Sequence, residues 1–217
     1  MLSQTEENYL KALLKITLDN EHGEAGTNEL AASLSLKPAT VNDMLKKLKE
    51  KQFIAYEKYG KITLTALGKK YGWGIVRKHR LWETFLFEKL DFSWDEVHEV
   101  AEQLEHIQSV KLIDKLDQFL GYPSFDPHGD PIPTHKGVVK IQYKKLLVDA
   151  EENETYKVLA VKDNSSAFLQ YVAKVGIQLN CLIKVKSIQP FDGMMHIEVD
   201  GKKSTVSQKF AQNIFIE

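Results

Sequence analysis

TNELAASLSLKPATVNDMLKKLKEKQFIAYEKYGKITLT, residues 27–65, is the stretch from which the rest of this chain can be read. Thr27 can cap a short helix over Asn28–Leu34 that turns Leu30, Ala31 and Leu34 inward. Ser35-Leu36-Lys37 then makes a turn, and Pro38 falls where the first turn of a new helix needs no N–H donor. Val41, Met44, Leu45 and Leu48 give that second helix one apolar face. Two β-rich runs around Gly60 follow and predict a hairpin. Upstream, residues 5–17 predict a further helix, capped by Thr5, with Tyr9, Leu10, Leu13, Leu14 and Ile16 along a stripe.

Three helices and a hairpin in this order predict a winged helix-turn-helix whose partner is double-stranded DNA. The second helix of the pair would lie in the major groove, presenting Lys37, Pro38, Ala39, Thr40, Asn42 and Asp43 to base edges and phosphates, with Thr27 heading the helix before it. Lys46 and Lys47 would neutralise backbone phosphates, and Lys58 and Lys61 would tip the wing.

Charge is distributed to match. The chain of 217 residues has a net charge of only −1, yet residues 27–70 hold nine lysines against four acids, whereas residues 82–154 hold sixteen acids against seven lysines. A basic module that meets a polyanion thus precedes an acidic one that meets cations. Cys181 is the single cysteine, which excludes an internal disulfide and suits a reducing compartment. The polar N-terminus has no signal-peptide pattern, and no window reaches the ~20 apolar residues of a membrane span, so a cytoplasmic protein with no membrane partner is expected.

In the acidic module, Leu67 to about Leu90 predicts one long helix. Trp94 to about Phe119 predicts a second, with Ser93 and Glu96 forming a capping box. His98, Glu102, Glu105 and His106 stand at i, i+4, i+7 and i+8, within an arc of about 100° on one helical face. His79 and Glu83 repeat the i, i+4 spacing one helix earlier. Imidazole with carboxylate suits Mn, Fe, Co, Ni or Zn, and six such groups could hold more than one ion; an acidic solvated surface is the alternative. Enzyme signatures are missing. There is no His-Glu-x-x-His, Gln103 spoils the Glu-x-x-His of di-iron bundles, and neither a Gly-rich phosphate loop nor a nucleophile elbow occurs. A metalloenzyme, which needs an open coordination position and a base that cannot be read here, and a metal-storage or delivery protein, in which the basic wing has no purpose, are weaker readings.

Phe125–Pro133, rich in Pro and Gly, ends the helical module. Runs at 156–161, 182–188, 194–199 and 204–206 predict strands, residues 166–175 a short helix stopped by Gly176, and Asp192-Gly193 and Asp200-Gly201 hairpin turns. His196 and Cys181 read as strand residues rather than ligands. The expected organisation is therefore mainly α with a small β part. It comprises a winged-helix DNA-binding domain at 1–70, a helical metal-binding domain at 71–134, to which the resemblance stated below adds dimerisation, a linker at 135–154 and a small β-barrel at 155–217.

Thr5-Glu6-Glu7-Asn8-Tyr9-Leu10, the helix-turn-helix, Val76-Arg77-Lys78-His79-Arg80-Leu81-Trp82-Glu83, the run His98–His106 and His128-Gly129-Asp130-Pro131-Ile132-Pro133 resemble the diphtheria toxin repressor family of metal-dependent transcriptional regulators, including its manganese-responsive branch. The resemblance covers roughly residues 3–134, and the barrel is similar to the SH3-like (FeoA-like) third domain of longer members. It implies a homodimeric, metal-activated repressor of metal-ion homeostasis that grips a palindromic operator. Carried over by position, His79, Glu83 and His98 would form an ancillary metal site, and Glu102, Glu105 and His106, with Asn8, a primary one.

Iron-type members resemble one another in a Met and Cys ligand pair, where this chain has Asn8 and Glu102. Oxygen in place of sulfur hardens the site and favours Mn(II); an Fe(II)-dependent repressor of iron uptake is the alternative, and Zn, Co or Ni can substitute in vitro. The manganese branch usually offers Asp at the Asn8 position and Glu at that of Lys11, so Glu6 or Glu7 is a candidate to compensate. Asp163 or Asn164 is the local candidate for a ligand lent by the barrel.

Overall fold

In a computed structural model of the chain, which describes residues 2–56, 60–135, 137–139 and 145–217, the first helix is capped by Ser3 and not by Thr5. Ser3 Oγ accepts from the Glu6 N–H while the Glu6 carboxylate accepts from the Ser3 N–H at 2.9 Å, a reciprocal capping box. Thr5 is therefore already inside α1 (Gln4–Asp19).

The backbone divides into two units. The first contains residues 1–79, 103–110 and 133–138; the second contains 80–102, 111–132 and 139–217. In the first, α1 is followed by α2 (Thr27–Ser33), α3 (Pro38–Glu50) and the antiparallel hairpin β1 (Ile54–Tyr56) and β2 (Ile62–Leu64). Pro38 opens α3, as its missing N–H allows. Gly26, not Thr27, is the N-cap of α2. Leu10, Leu13, Leu30, Val41, Leu45, Leu48 and Ile62 are fully buried in one core, so all three helices and the hairpin share a single apolar centre.

The long helix α4 (Ala66–Leu90) starts in this unit. Thr65 organises its first turn: its N–H donates to the Phe53 carbonyl and its Oγ1 accepts from the Gly68 N–H. A Cβ on Gly68 would stand 2.0 Å from the Phe53 carbonyl oxygen, so glycine is required for the helix to start this close to β1.

The second unit departs from expectation in its helices. In place of one helix from Trp94 to Phe119 there are two, α5 (Val97–Leu104) and α6 (Val110–Phe119). The chain turns at Leu104, whose carbonyl accepts from the Ile107 N–H. Glu105 and His106 therefore do not share a helical face with His98 and Glu102; their side chains are engaged by residues of α1 and α4 instead.

The C-terminal strands form one antiparallel sheet in the order β3-β8-β4-β5-β6-β7. They are β3 (Lys145–Leu146), β4 (Thr155–Val161), β5 (Leu182–Ile188), β6 (Met195–Val199), β7 (Lys202–Val206) and β8 (Ile214–Ile216). Asp200 and Gly201 have φ of +47° and +81°, both positive as a two-residue hairpin turn needs. Ladder shifts in β4, between Val158 and Ala160, and in β5, between Val185 and Ser187, bend the sheet. α7 (Ser166–Val175) ends at Gly176 with φ +85°, and α8 (Gln208–Ala211) precedes β8. β3 and the 3-10 turn Leu147–Asp149 lie within the stretch expected as linker, and Leu147 is fully buried in the barrel core. Trp94 joins the same core, anchoring the barrel to the helical part of its unit.

Candidate metal centre and nucleic-acid interface

Acids on α1 are buried, and that is the unusual chemistry of the first unit. Burial alone would push the Glu6 carboxyl upward, but the Lys51 ammonium at 2.6 Å and the Ser3 cap hold it below the usual carboxylate range. Glu7 accepts from Gln108 Nε2 at 2.7 Å with one oxygen and lies 2.6 Å from His106 Nδ1 with the other. Lys78 Nζ is 3.7 Å from Glu7, and burial lowers its pKa against the opposing pull of Glu7 and Glu105.

Glu105, which has no exposed surface, places Oε2 2.6 Å from both Lys11 Nζ and His79 Nδ1. Its Oε1 and the Oδ1 of Asn8 are buried with no hydrogen-bond partner among the described residues. Two orphaned buried oxygen acceptors are of the type that a hard divalent ion takes up, and the unit also supplies imidazoles and a second buried carboxylate of matching chemistry.

The second unit holds a constellation around Glu83, which stands one turn after His79 on α4. Glu83 Oε1 is 3.2 Å from His98 Nδ1, and Glu83 Oε2 is 3.8 Å from His128 Nδ1. His98 Nε2 is 3.5 Å from Glu102, one turn along α5. His128 is wholly buried, and its Nε2–H donates to the Trp94 carbonyl at 3.1 Å, which fixes the ring. Burial disfavours its cation, yet Glu83, Asp126 and the Trp94 carbonyl raise its pKa to about 9. Asp126 is pushed up to about 7 by burial and by Glu83 and Asp130, against Arg80 and His128. One Asp126 oxygen accepts the N–H groups of His128 and Asp130, so it shapes the turn that delivers His128.

Glu83, Asp126 and His128 offer ligand-type atoms within 4.8 Å of one another. Asn164 Oδ1, in the loop before α7, is buried with no hydrogen-bond partner among the described residues, whereas Asp163 Oδ1 accepts from the Ser165 N–H.

The expected ligands are thus divided. Asn8, His79, Glu105 and His106 belong to the first unit, and Glu83, His98 and Glu102 to the second. Sequence reasoning passed over Gln108, Lys78, Asp126 and His128 as participants and left Glu7 as one of two candidates. Glu7 and Lys11 are i, i+4 on α1, a spacing that places them on one face but does not reveal that this face is buried.

On the nucleic-acid side, Lys37, Pro38, Ala39, Thr40, Asp43, Lys46 and Lys47 are all exposed along the start and outer face of α3, opposite Val41, Leu45 and Leu48. Asn42 is half-buried, and its Oδ1 accepts from the Tyr56 hydroxyl at 2.7 Å, so it braces β1 as well. Asp43 pairs with Lys46 at 3.0 Å. Lys61 pairs with Glu24 at 2.7 Å, and Thr27 is half-buried at the first position of α2. Lys58 lies outside the described residues. Among the described residues no helix is long and apolar enough to cross a membrane.

Known proteins match the chain in three consecutive stretches. Residues 1–62 match the iron dependent repressor N-terminal DNA binding domain, residues 65–134 the iron dependent repressor metal binding and dimerisation domain, and residues 145–217 the FeoA domain. A manganese-dependent transcriptional repressor solved in complex with manganese is 33% identical, with a TM-score of 0.83 over 97% of this chain and 98% of that one. ScaR with bound Cd2+ is 33% identical, with a TM-score of 0.77 over 98% of each chain. IdeR of T. acidophilum is 25% identical, with a TM-score of 0.73 over 100% of this chain and 99% of that one. A curated relative, a probable metal transport system membrane protein of Chlamydia trachomatis serovar D, is 48% identical over 59 residues; the match spans 27% of this chain and 13% of that protein. Whole-length similarity of this kind, with three domain matches in the same order, shows that the chain belongs to the family of metal-dependent transcriptional repressors.

Proposed function

We propose that this protein is a Mn(II)-activated repressor of metal-ion homeostasis genes, which binds a palindromic operator as a homodimer. One observation carries the reading: Glu7 of α1 reaches His106 at 2.6 Å, so the first helix of the DNA-binding module meets the segment that holds Glu105 and His106 through groups that ligate metals. The primary set is Glu7, Asn8, Glu105 and His106, to which the family resemblance adds Glu102; the ancillary set is His79, Glu83 and His98. When bound, a divalent ion supplies positive charge that these carboxylates share. Because α1 shares its core with α2 and α3, fixing α1 fixes the helix that reads DNA. Affinity for the ion that exists only in the DNA-competent arrangement shifts the population toward it, by no more than the differential binding energy.

The metal preference rests on donor chemistry. No Met or Cys is among these ligands, and Cys181 belongs to the barrel, so the set is oxygen and imidazole throughout. The relatives solved with manganese, cadmium and zinc accord with a divalent-ion site. Copies would pair through the apolar surface of the helical module, where Phe87, Leu90, Leu112, Phe119 and Tyr122 are exposed.

The decisive experiment titrates a duplex selected from a random pool with Mn(II), Fe(II), Zn(II) or no metal. Chelation should lower affinity by about 5- to 150-fold, the ordinary range of a binding coupling. Glu102→Cys should move the preference from Mn(II) toward Zn(II). Equal binding after exhaustive chelation would overturn activation by metal, and an unchanged preference in Glu102→Cys would overturn the hard-ligand argument. Separately, Lys46→Ala with Lys47→Ala should flatten the salt dependence, by about 0.9 in log–log slope for each phosphate no longer neutralised, with little change in sequence preference. A shifted consensus with the original slope would place these lysines on bases instead.

A further inference from the structure

Between Glu105 and His79 the chain carries a cation of its own, held by a covalent bond. Lys11 stands one turn after Glu7 on α1, and its ammonium lies 2.6 Å from Glu105 Oε2 and 3.2 Å from His79 Nδ1. The same carboxylate oxygen is 2.6 Å from the same imidazole nitrogen. At that distance the imidazole N–H donates to the carboxylate, and the ammonium lies within reach of both groups, as a cation held against the pair would.

Glu105 has no exposed surface, whereas the Lys11 side chain keeps 20% of its own. A carboxylate buried that deeply requires a positive partner, and the long flexible stem of lysine brings one from the rim. Lys51 with Glu6 and Lys78 with Glu7 repeat the pairing of lysine with buried acid.

We propose that Lys11 is a tethered counter-cation that occupies the position of an ion between Glu105 and His79. A divalent ion enters this pair only by displacing the ammonium, so Lys11 weakens the site and raises the ion concentration at which it fills. The inference rests on the metal-sensing reading above and adds a residue that sets its affinity. Lys11 supplies one positive charge and hydrogen-bond donors where an ion would supply two charges and open coordination positions. Ammonium and ion therefore compete, and neither replaces the other fully.

The test is a Mn(II) titration of the full chain in which electron paramagnetic resonance counts the free ion. Lys11→Met should tighten one class of site by about tenfold, within the usual span of a coupling between two ligands, while Lys11→Arg stays near wild type. Unchanged or weaker binding in Lys11→Met overturns the proposal. Wild type that binds no Mn(II) at all would overturn the metal-sensing reading itself, and the two failures are distinct.

Because Lys11→Met leaves a buried carboxylate uncompensated, a second measurement uses wild type alone. Reductive methylation, read by peptide mass spectrometry, should label Lys11 slowly without metal and faster with saturating Mn(II). Equal labelling in both conditions overturns displacement.

Discussion

Gly129→Ala is expected to destabilise the second unit by about 3–5 kcal/mol, lowering its melting temperature by roughly 10 °C in a thermal scan. Two effects combine. Gly129 has φ +82°, which strains any residue with a side chain, and a Cβ there would lie 2.1 Å from the Leu159 carbonyl oxygen and 2.6 Å from Ala160 Cβ. Retreat is blocked, because the neighbouring His128 carbonyl accepts from the Val161 N–H at 2.9 Å and ties the two segments together. Leu159 is the residue at which the β4 ladder slips, and its carbonyl is the atom that a side chain at 129 would strike. Gly121→Ala is the control: φ there is +74°, but nothing lies within 4 Å, so only the backbone strain of about 1 kcal/mol should appear. Equal losses in the two variants would show that the close approach to β4 contributes nothing.

Glu7→Ala should abolish most of the metal response, with Mn(II)-stimulated DNA binding reduced by about 10- to 100-fold as for loss of a group that ligates or orients a metal. It should also cost about 1–3 kcal/mol, because Gln108 loses its carboxylate acceptor and His106 and Lys78 lose their anionic partner. Glu7→Gln separates the two: an amide keeps hydrogen bonding but no charge, so stability recovers in a urea melt while the metal response does not. A Glu7→Gln protein that responds to Mn(II) like wild type would remove Glu7 from the sensing set.

Local signals carried much of the architecture. Pro38 marks the start of α3, the spacing of Val41, Leu45 and Leu48 marks its buried face, and Gly176 marks the end of α7, because each depends on neighbours a few residues away. What could not be read depends on distance along the chain. Apolar periodicity through Trp94–Phe119 favours one helix, and the break after Leu104 is understood only once Glu105 meets Lys11 and His106 meets Glu7, pairs separated by 94 and 99 residues. For the same reason two acids on α1, which on periodicity alone belong to solvent, turn out to be buried. β3 and β8 span two and three residues, too short for alternation to register, although β8 is the strand that joins β3 to β4. The side chains offered to DNA are local and legible, with the exception of Asn42, whose bond to Tyr56 depends on where the hairpin folds back.

The outer strands of the barrel sheet bear on how copies of this protein can associate. Among the described residues one edge is β3 and the other is β7, which carries exposed Lys202 and Lys203 at its start. A lysine-bearing edge is a poor template for an additional strand, since it sets like charges side by side when it meets its copy. Growth of the sheet from molecule to molecule, the open-ended route to fibres, is thereby discouraged at the β7 end. An edge that resists open-ended stacking suits the closed pair proposed above, the form whose symmetry an inverted repeat in DNA would mirror.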